Sequence, residues 1–184
     1  LSPDRTLTRA EFVTMLLRIA PNFPGAEDDL SALTGGALLT APSVSLDSDT
    51  LSGDRVFAAT STDVTLSGVT TGSSRVILKG AENAALRVQN DSTLSTIALD
   101  PAGAATASLT GGSSAETLVI AGRGGDVTVS GPCENIEITA SNRTIRLSNT
   151  AADTLTVTGS GNTIVVDGTV GAVSVNAGAK NNTL

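Results

Sequence analysis

From Val127 to Leu184 the chain returns, at an almost fixed interval, to a triplet whose outer residues are aliphatic, and few folds accommodate that pattern. The triplets are Val127-Thr128-Val129, Ile136-Glu137-Ile138, Ile145-Arg146-Leu147, Leu155-Thr156-Val157, Ile164-Val165-Val166 and Val173-Ser174-Val175, with first residues 9, 9, 10, 9 and 9 positions apart. Side chains of a strand alternate between two faces, so aliphatic groups at i and i+2 share one side. Each triplet therefore reads as a minimal strand. The segments between are built from Gly, Asn, Ser, Asp and Thr, which supply turns, and none has room for a crossover helix. Strands this short bury their apolar pairs only by stacking coil on coil, so the expected fold is all-β, a parallel β-solenoid. Parallel crossovers are right-handed as a rule, which makes a right-handed β-helix the expected form.

Turn composition sets the expected size of a coil. Thr precedes the apolar residue at 144, 163 and 183, while the segments Ser148 to Thr154 and Asp167 to Ala172 differ in composition and read as turns of a second type. That alternation fits two strands and about 18 to 20 residues per coil, whereas three strands would give about 28 and mix the two turn types on one edge. Further back the triplets continue as Leu118-Val119-Ile120, Ala107-Ser108-Leu109, Ile97-Ala98-Leu99, Leu86-Arg87-Val88, Val76-Ile77-Leu78, Val64-Thr65-Leu66 and Val44-Ser45-Leu46. The pair Val56-Phe57 divides the one wide gap. Residues 44–184 thus hold about seven two-strand coils, a stack on the order of 35 Å long at ~4.8 Å per coil.

Aromatic residues are 2% of the chain, with no Trp and no Tyr, so the core must be aliphatic. The formal charge is -7, and without a basic patch or stacking platforms nucleic acid is not an expected partner. No window approaches the ~20 consecutive apolar residues of a membrane span. His is absent and Cys133 is the single cysteine, which removes the commonest general base, any intrachain disulfide and any Cys-based zinc site. Leu1 is not an initiator, so the chain is read as a piece of a longer or processed protein.

The first residues follow a helical period. Thr8 and Glu11 form a capping box, and Phe12, Met15, Leu16 and Ile19 make one apolar stripe before Pro21 and Pro24. The run Pro3 to Arg18 resembles the second half of an S-layer homology motif, whose Thr-Arg-Ala-Glu signature is matched at Thr8, Arg9, Ala10 and Glu11. That family anchors exported proteins of Gram-positive and related bacteria to cell-wall polysaccharide. The resemblance implies an extracellular location at the cell surface or cell wall, and it places a wall-glycan contact on Thr8, Arg9, Ala10 and Glu11, with Arg9 the glycan-contacting arginine. It reaches no further than Asn22 and lacks the motif's first helix, and such motifs usually act in sets. The wall polysaccharide is accordingly expected as a partner of the complete parent protein, and the helix is expected to cap the open end of the solenoid. The organisation is then 1–24 partial anchoring motif, 25–43 connector with a weak strand signal at Leu38-Leu39, and 44–184 solenoid.

Parallel β-helices include polysaccharide lyases and hydrolases, whose sites need clustered carboxylates with Arg or Lys against the substrate. Here Asp47, Asp49, Asp54 and Asp63 are the one dense acidic group of the solenoid, and they fall in early segments read as solvated turns. The calcium-binding nonapeptide pattern is approached only at Arg123-Gly124-Gly125-Asp126 and Val166-Asp167-Gly168, so no structural metal and no cofactor is expected. Asn142, Asn162 and Asn181-Asn182 are expected to stack as an amide ladder. No enzyme is expected. The sequence points to a structural or display module of a bacterial surface protein, a spacer or adhesive surface, with a carbohydrate-binding or carbohydrate-processing β-helix as the alternative.

Overall fold

The computed structural model describes residues 37–48 and 50–184, which lie in the compact unit Gly35–Leu184. The helix expected from Thr8 to Ala20 falls outside the described residues. Among these there is no helix, and twelve strands pair in parallel throughout. The fold is an all-β parallel β-solenoid of about seven turns.

Two rows of strands run the length of the stack. One row is β1 (Ala37–Leu39), β3 (Arg55–Phe57), β5 (Arg75–Lys79), β7 (Thr93–Asp100) and β9 (Ser114–Ile120). The other is β2 (Ser43–Asp47), β4 (Ser61–Ser67), β6 (Asn83–Gln89) and β8 (Ala104–Leu109). The long strands β10 (Asp126–Ile138), β11 (Thr144–Val157) and β12 (Thr163–Val175) each contribute to both rows. Along the second row Val44, Val64, Leu86, Ala107, Val129, Leu147 and Val166 are successive register partners, so each return to the row takes close to one expected coil of chain. This is the two-strand coil that the turn composition implies. The weak strand signal at Leu38-Leu39 is also real: β1 pairs with β3, putting Leu38 beside Val56.

Burial follows the triplets. Val127, Val129, Ile136, Ile138, Ile145, Leu147, Leu155 and Val157 are all fully buried, and Leu118, Ile120, Leu86, Val88, Val64 and Leu66 continue the same core below them. A fully buried side chain of this size contributes ~1.5 to 3 kcal/mol, so the interior row is the main source of stability. In the last coil the pattern persists without its cover, with Val173 52% and Val175 46% exposed where Leu155 and Val157 of the coil below are at 0%.

One expectation is corrected. The segments Ser148 to Thr154 and Asp167 to Ala172 are not turns, because β11 and β12 run straight through them. Their backbone groups pair with neighbouring coils, and the corner is made by bulges at Ser130/Gly131 and Ser148/Thr150, where Gly131 (φ 101°) and Asn149 (φ 51°) take left-handed backbone. Successive triplets do not all align residue for residue: Ala107 lies beside Val129, and Val127 beside Ala105. A slip of two residues keeps every side chain on its own face, so the triplet pattern is insensitive to it.

Candidate functional site

The side chains able to do chemistry are first accounted for by the stack itself. Asp54 is largely buried, accepts from the backbone N–H of Arg75 at 2.8 Å, and receives the Arg75 Nε at 2.9 Å and Nη2 at 2.6 Å. It is therefore a cross-coil tie and not a solvated turn. Burial alone would raise its carboxyl, but the hydrogen bonds and charge of Arg75 outweigh that and hold it below the ordinary carboxylate range. Asp63 sits in β4 and pairs with Arg87 one coil above, Asp47 is exposed at the end of β2, and Asp49 lies outside the described residues. Thr8, Arg9, Ala10 and Glu11 lie outside them as well.

A group whose folded pKa is depressed stabilises the fold above its unfolded value and loses that contribution as pH falls through the folded value. Since Arg75 is 37% exposed, solvent screening limits the tie to about 0.5 to 1 kcal/mol. Asp54→Asn is expected to lower the urea midpoint at about pH 6, with the gap to the unaltered chain closing below about pH 3. Equal gaps at both values would mean that the charge plays no part.

An acidic row escaped the sequence reading. The pairings Cys133 with Ala115, Asn135 with Thr117, Pro132 with Ala151 and Asn135 with Thr154 put Glu116, Glu134 and Asp153 on one corner in successive coils. Their near-equal spacing is visible in the sequence, but only the register tells which spacing stacks. Among the described residues, no three His, Cys, Asp or Glu side chains converge so as to hold a metal. Cys133 beside them is buried, and that burial pushes its thiol up to about 12, leaving it inert as a nucleophile at neutral pH.

The other corner, which leads from the first strand row into the second, carries the polar interior. Its column runs Gly103, Gly125, Arg143, Asn162, Asn182, as the register of the adjoining strands fixes. The expected amide ladder is real between Asn162 and Asn182, while Asn142 and Asn181 are not part of it. Asn162 Oδ1 accepts from the N–H of Arg143 at 3.1 Å, Asn182 Oδ1 accepts from the N–H of Asn162 at 2.9 Å, and the Asn162 Nδ2 donates to the Ala140 carbonyl at 2.8 Å. Asn142 and Asn181 sit one place earlier, where the backbone is left-handed (φ 56° and 57°) and Gly161 (φ 73°) is their counterpart. Asn tolerates that conformation, which explains why both positions attract it.

Arg143 takes the interior place below Asn162 and is 2% exposed. Its guanidinium reaches down past Gly125, donating from Nη1 to the Gly103 carbonyl at 3.0 Å and from Nη2 to the Pro101 carbonyl, 40 and 42 residues back. Glycine at 122 suits this, since its backbone is left-handed (φ 80°) and a Cβ there would lie 2.8 Å from the Arg143 Nη2 and 2.5 Å from the Asp100 Oδ1. Burial lowers the guanidinium pKa and the Asp100 carboxylate opposes that. Nε has no hydrogen-bond partner. Outside this buried clip is a cleft of about 210 Å³ lined by Lys79, Gly80, Asp100, Pro101, Ala102, Gly122 and Arg123. Across it Lys79 Nζ and Asp100 Oδ2 are 3.7 Å apart.

No family model matches the chain, and no curated protein or solved structure matches it either.

Proposed function

We propose that the chain is a non-enzymatic structural module of a bacterial S-layer-type surface protein, serving as a spacer or adhesive surface. The observation that carries this reading is the use made of the polar side chains: Asp54, Asp63, Arg75, Arg87, Arg143, Asn162 and Asn182 all tie one coil to another. A stack whose charged groups hold its own coils is suited to bearing load along its axis. The Thr8-Arg9-Ala10-Glu11 signature supports the surface location, with wall polysaccharide as the partner of the complete parent and the capped helix as a cover for the stack. Right-handed winding belongs to the same proposal.

Incubation of the chain with pectin, cellulose or peptidoglycan is expected to release no new reducing ends and no unsaturated product. Turnover that Asp54→Asn or Asp63→Asn abolishes would favour the carbohydrate-processing alternative and end this reading.

A further inference from the structure

Among the described residues six large hydrophobic side chains are exposed, and all six lie at the two ends of the stack. Val165, Val166, Val173 and Val175 belong to β12, Leu184 follows just above it, and Leu38 belongs to β1. The same strands have unused edges. Among the described residues β12 pairs with β11 below and is met above only by a bridge from Thr183 to Thr163, while β1 pairs with β3 alone. An exposed apolar strand edge is a template for another chain.

The two ends match, because they terminate the same columns. The interior column that starts at Leu39 runs by register through Phe57, Leu99 and Ile138 to Val175, and the outer one that starts at Leu38 runs through Ile77 to Ser174. Every strand is parallel, so a second copy moved along the stack axis without reversal sets its Leu39 above Val175 in an ordinary parallel pair. The steps of the two ends interlock as well. The Thr183 carbonyl accepts from the Ile164 N–H at 2.8 Å, so Leu184 already fills the place above Ile164, and the row holding Val173 and Val175 is left bare. In a second copy β1 comes onto that bare row, and Pro42, which belongs to the Ile164 column, comes above Leu184.

From this match we infer that the free edge of β12 is a docking site for the first strand of a second copy, so that chains associate head to tail and continue the solenoid across the joint. Such a contact is heterologous and does not close, so it builds a row of molecules rather than a dimer. A joint of one short strand pair falls below the ~1,200 Å² of stable interfaces, which makes the association weak, with a dissociation constant on the order of 100 µM. The inference goes beyond the spacer reading, and in the assembled form a second copy takes the place proposed for the helix as a cover.

The test is sedimentation equilibrium of the full chain from about 10 µM to about 1 mM, where the mass is expected to keep rising past that of a dimer. Val175→Lys and Leu39→Lys each place an ammonium that reaches water at an open end but is sealed inside the joint, so each should weaken association at least about tenfold. An equimolar mixture of the two variants should nonetheless form a dimer and stop there, because one keeps a sound lower edge and the other a sound upper one. Arg146→Gln, on an outward position within the stack, should associate like the unaltered chain. A monomer throughout the range, which would leave the edge to a different partner, a limiting dimer of the unaltered chain, or a mixture that stays monomeric would overturn the inference.

Discussion

Ile145→Asp is expected to abolish the cooperative fold of the upper coils, whereas Val165→Asp, beside the outward-facing Arg146 of the coil below, should be close to neutral. Ile145 is fully buried, with Val127 and Ile164 as its register partners below and above. Deleting its side chain alone would cost about 2 to 5 kcal/mol, and a carboxylate buried without a partner adds several more. Total stabilities of about 5 to 15 kcal/mol do not survive that sum. Val165 is 40% exposed on the opposite face, where a charge meets water. A thermal melt of the two variants separates the faces: similar melting temperatures would mean that the interior is not where the triplets put it.

Arg143 should produce the second large effect. Arg143→Ala removes the donors to the Pro101 and Gly103 carbonyls and opens a cavity, for an expected loss of about 3 to 5 kcal/mol. Arg143→Met keeps most of the volume but leaves both carbonyls unpaired. It also removes a buried charge whose Nε is unsatisfied, so its loss should be smaller, about 1 to 3 kcal/mol. Denaturant midpoints should therefore rank unaltered chain, then Met, then Ala. A Met variant as stable as the unaltered chain would show that the guanidinium contributes volume and no useful hydrogen bonding.

These two residues mark what was legible in the sequence. Ile145 could be read directly, because a period of two within a period near nine depends only on local alternation and on repetition. Val56-Phe57 was found the same way, from a gap that needed a strand. Arg143 could not be read, because its partners are 40 and 42 residues back and it crosses a turn whose length no local pattern fixes. The same limit applies to the amide ladder, of which Asn162 and Asn182 are members and Asn142 and Asn181 are not: Asn occurs both at the left-handed position and at the interior one, and composition does not tell them apart. Ser148 to Thr154 looked like a turn because its residues are small and polar, yet in a parallel stack the pairing of neighbouring coils can hold such residues in strand. The role of the carboxylates is hidden from the sequence for a related reason. Asp54 has acidic sequence neighbours, whereas its partner Arg75 lies one coil away.

One continuous register runs through the stack, and a distance between outward positions tests it most directly. Ala85, Thr106, Thr128, Arg146 and Val165 are successive register partners on the outer face of the second strand row. Four steps of ~4.8 Å place the backbones of Ala85 and Val165 about 19 Å apart, although several whole coils of chain separate them in sequence. Spin labels on Ala85→Cys and Val165→Cys, with Cys133 replaced by Ala, should give one narrow distance distribution near that value, broadened by the label arms. A broad distribution, or a single peak at twice that separation, would contradict the stacked two-strand coil.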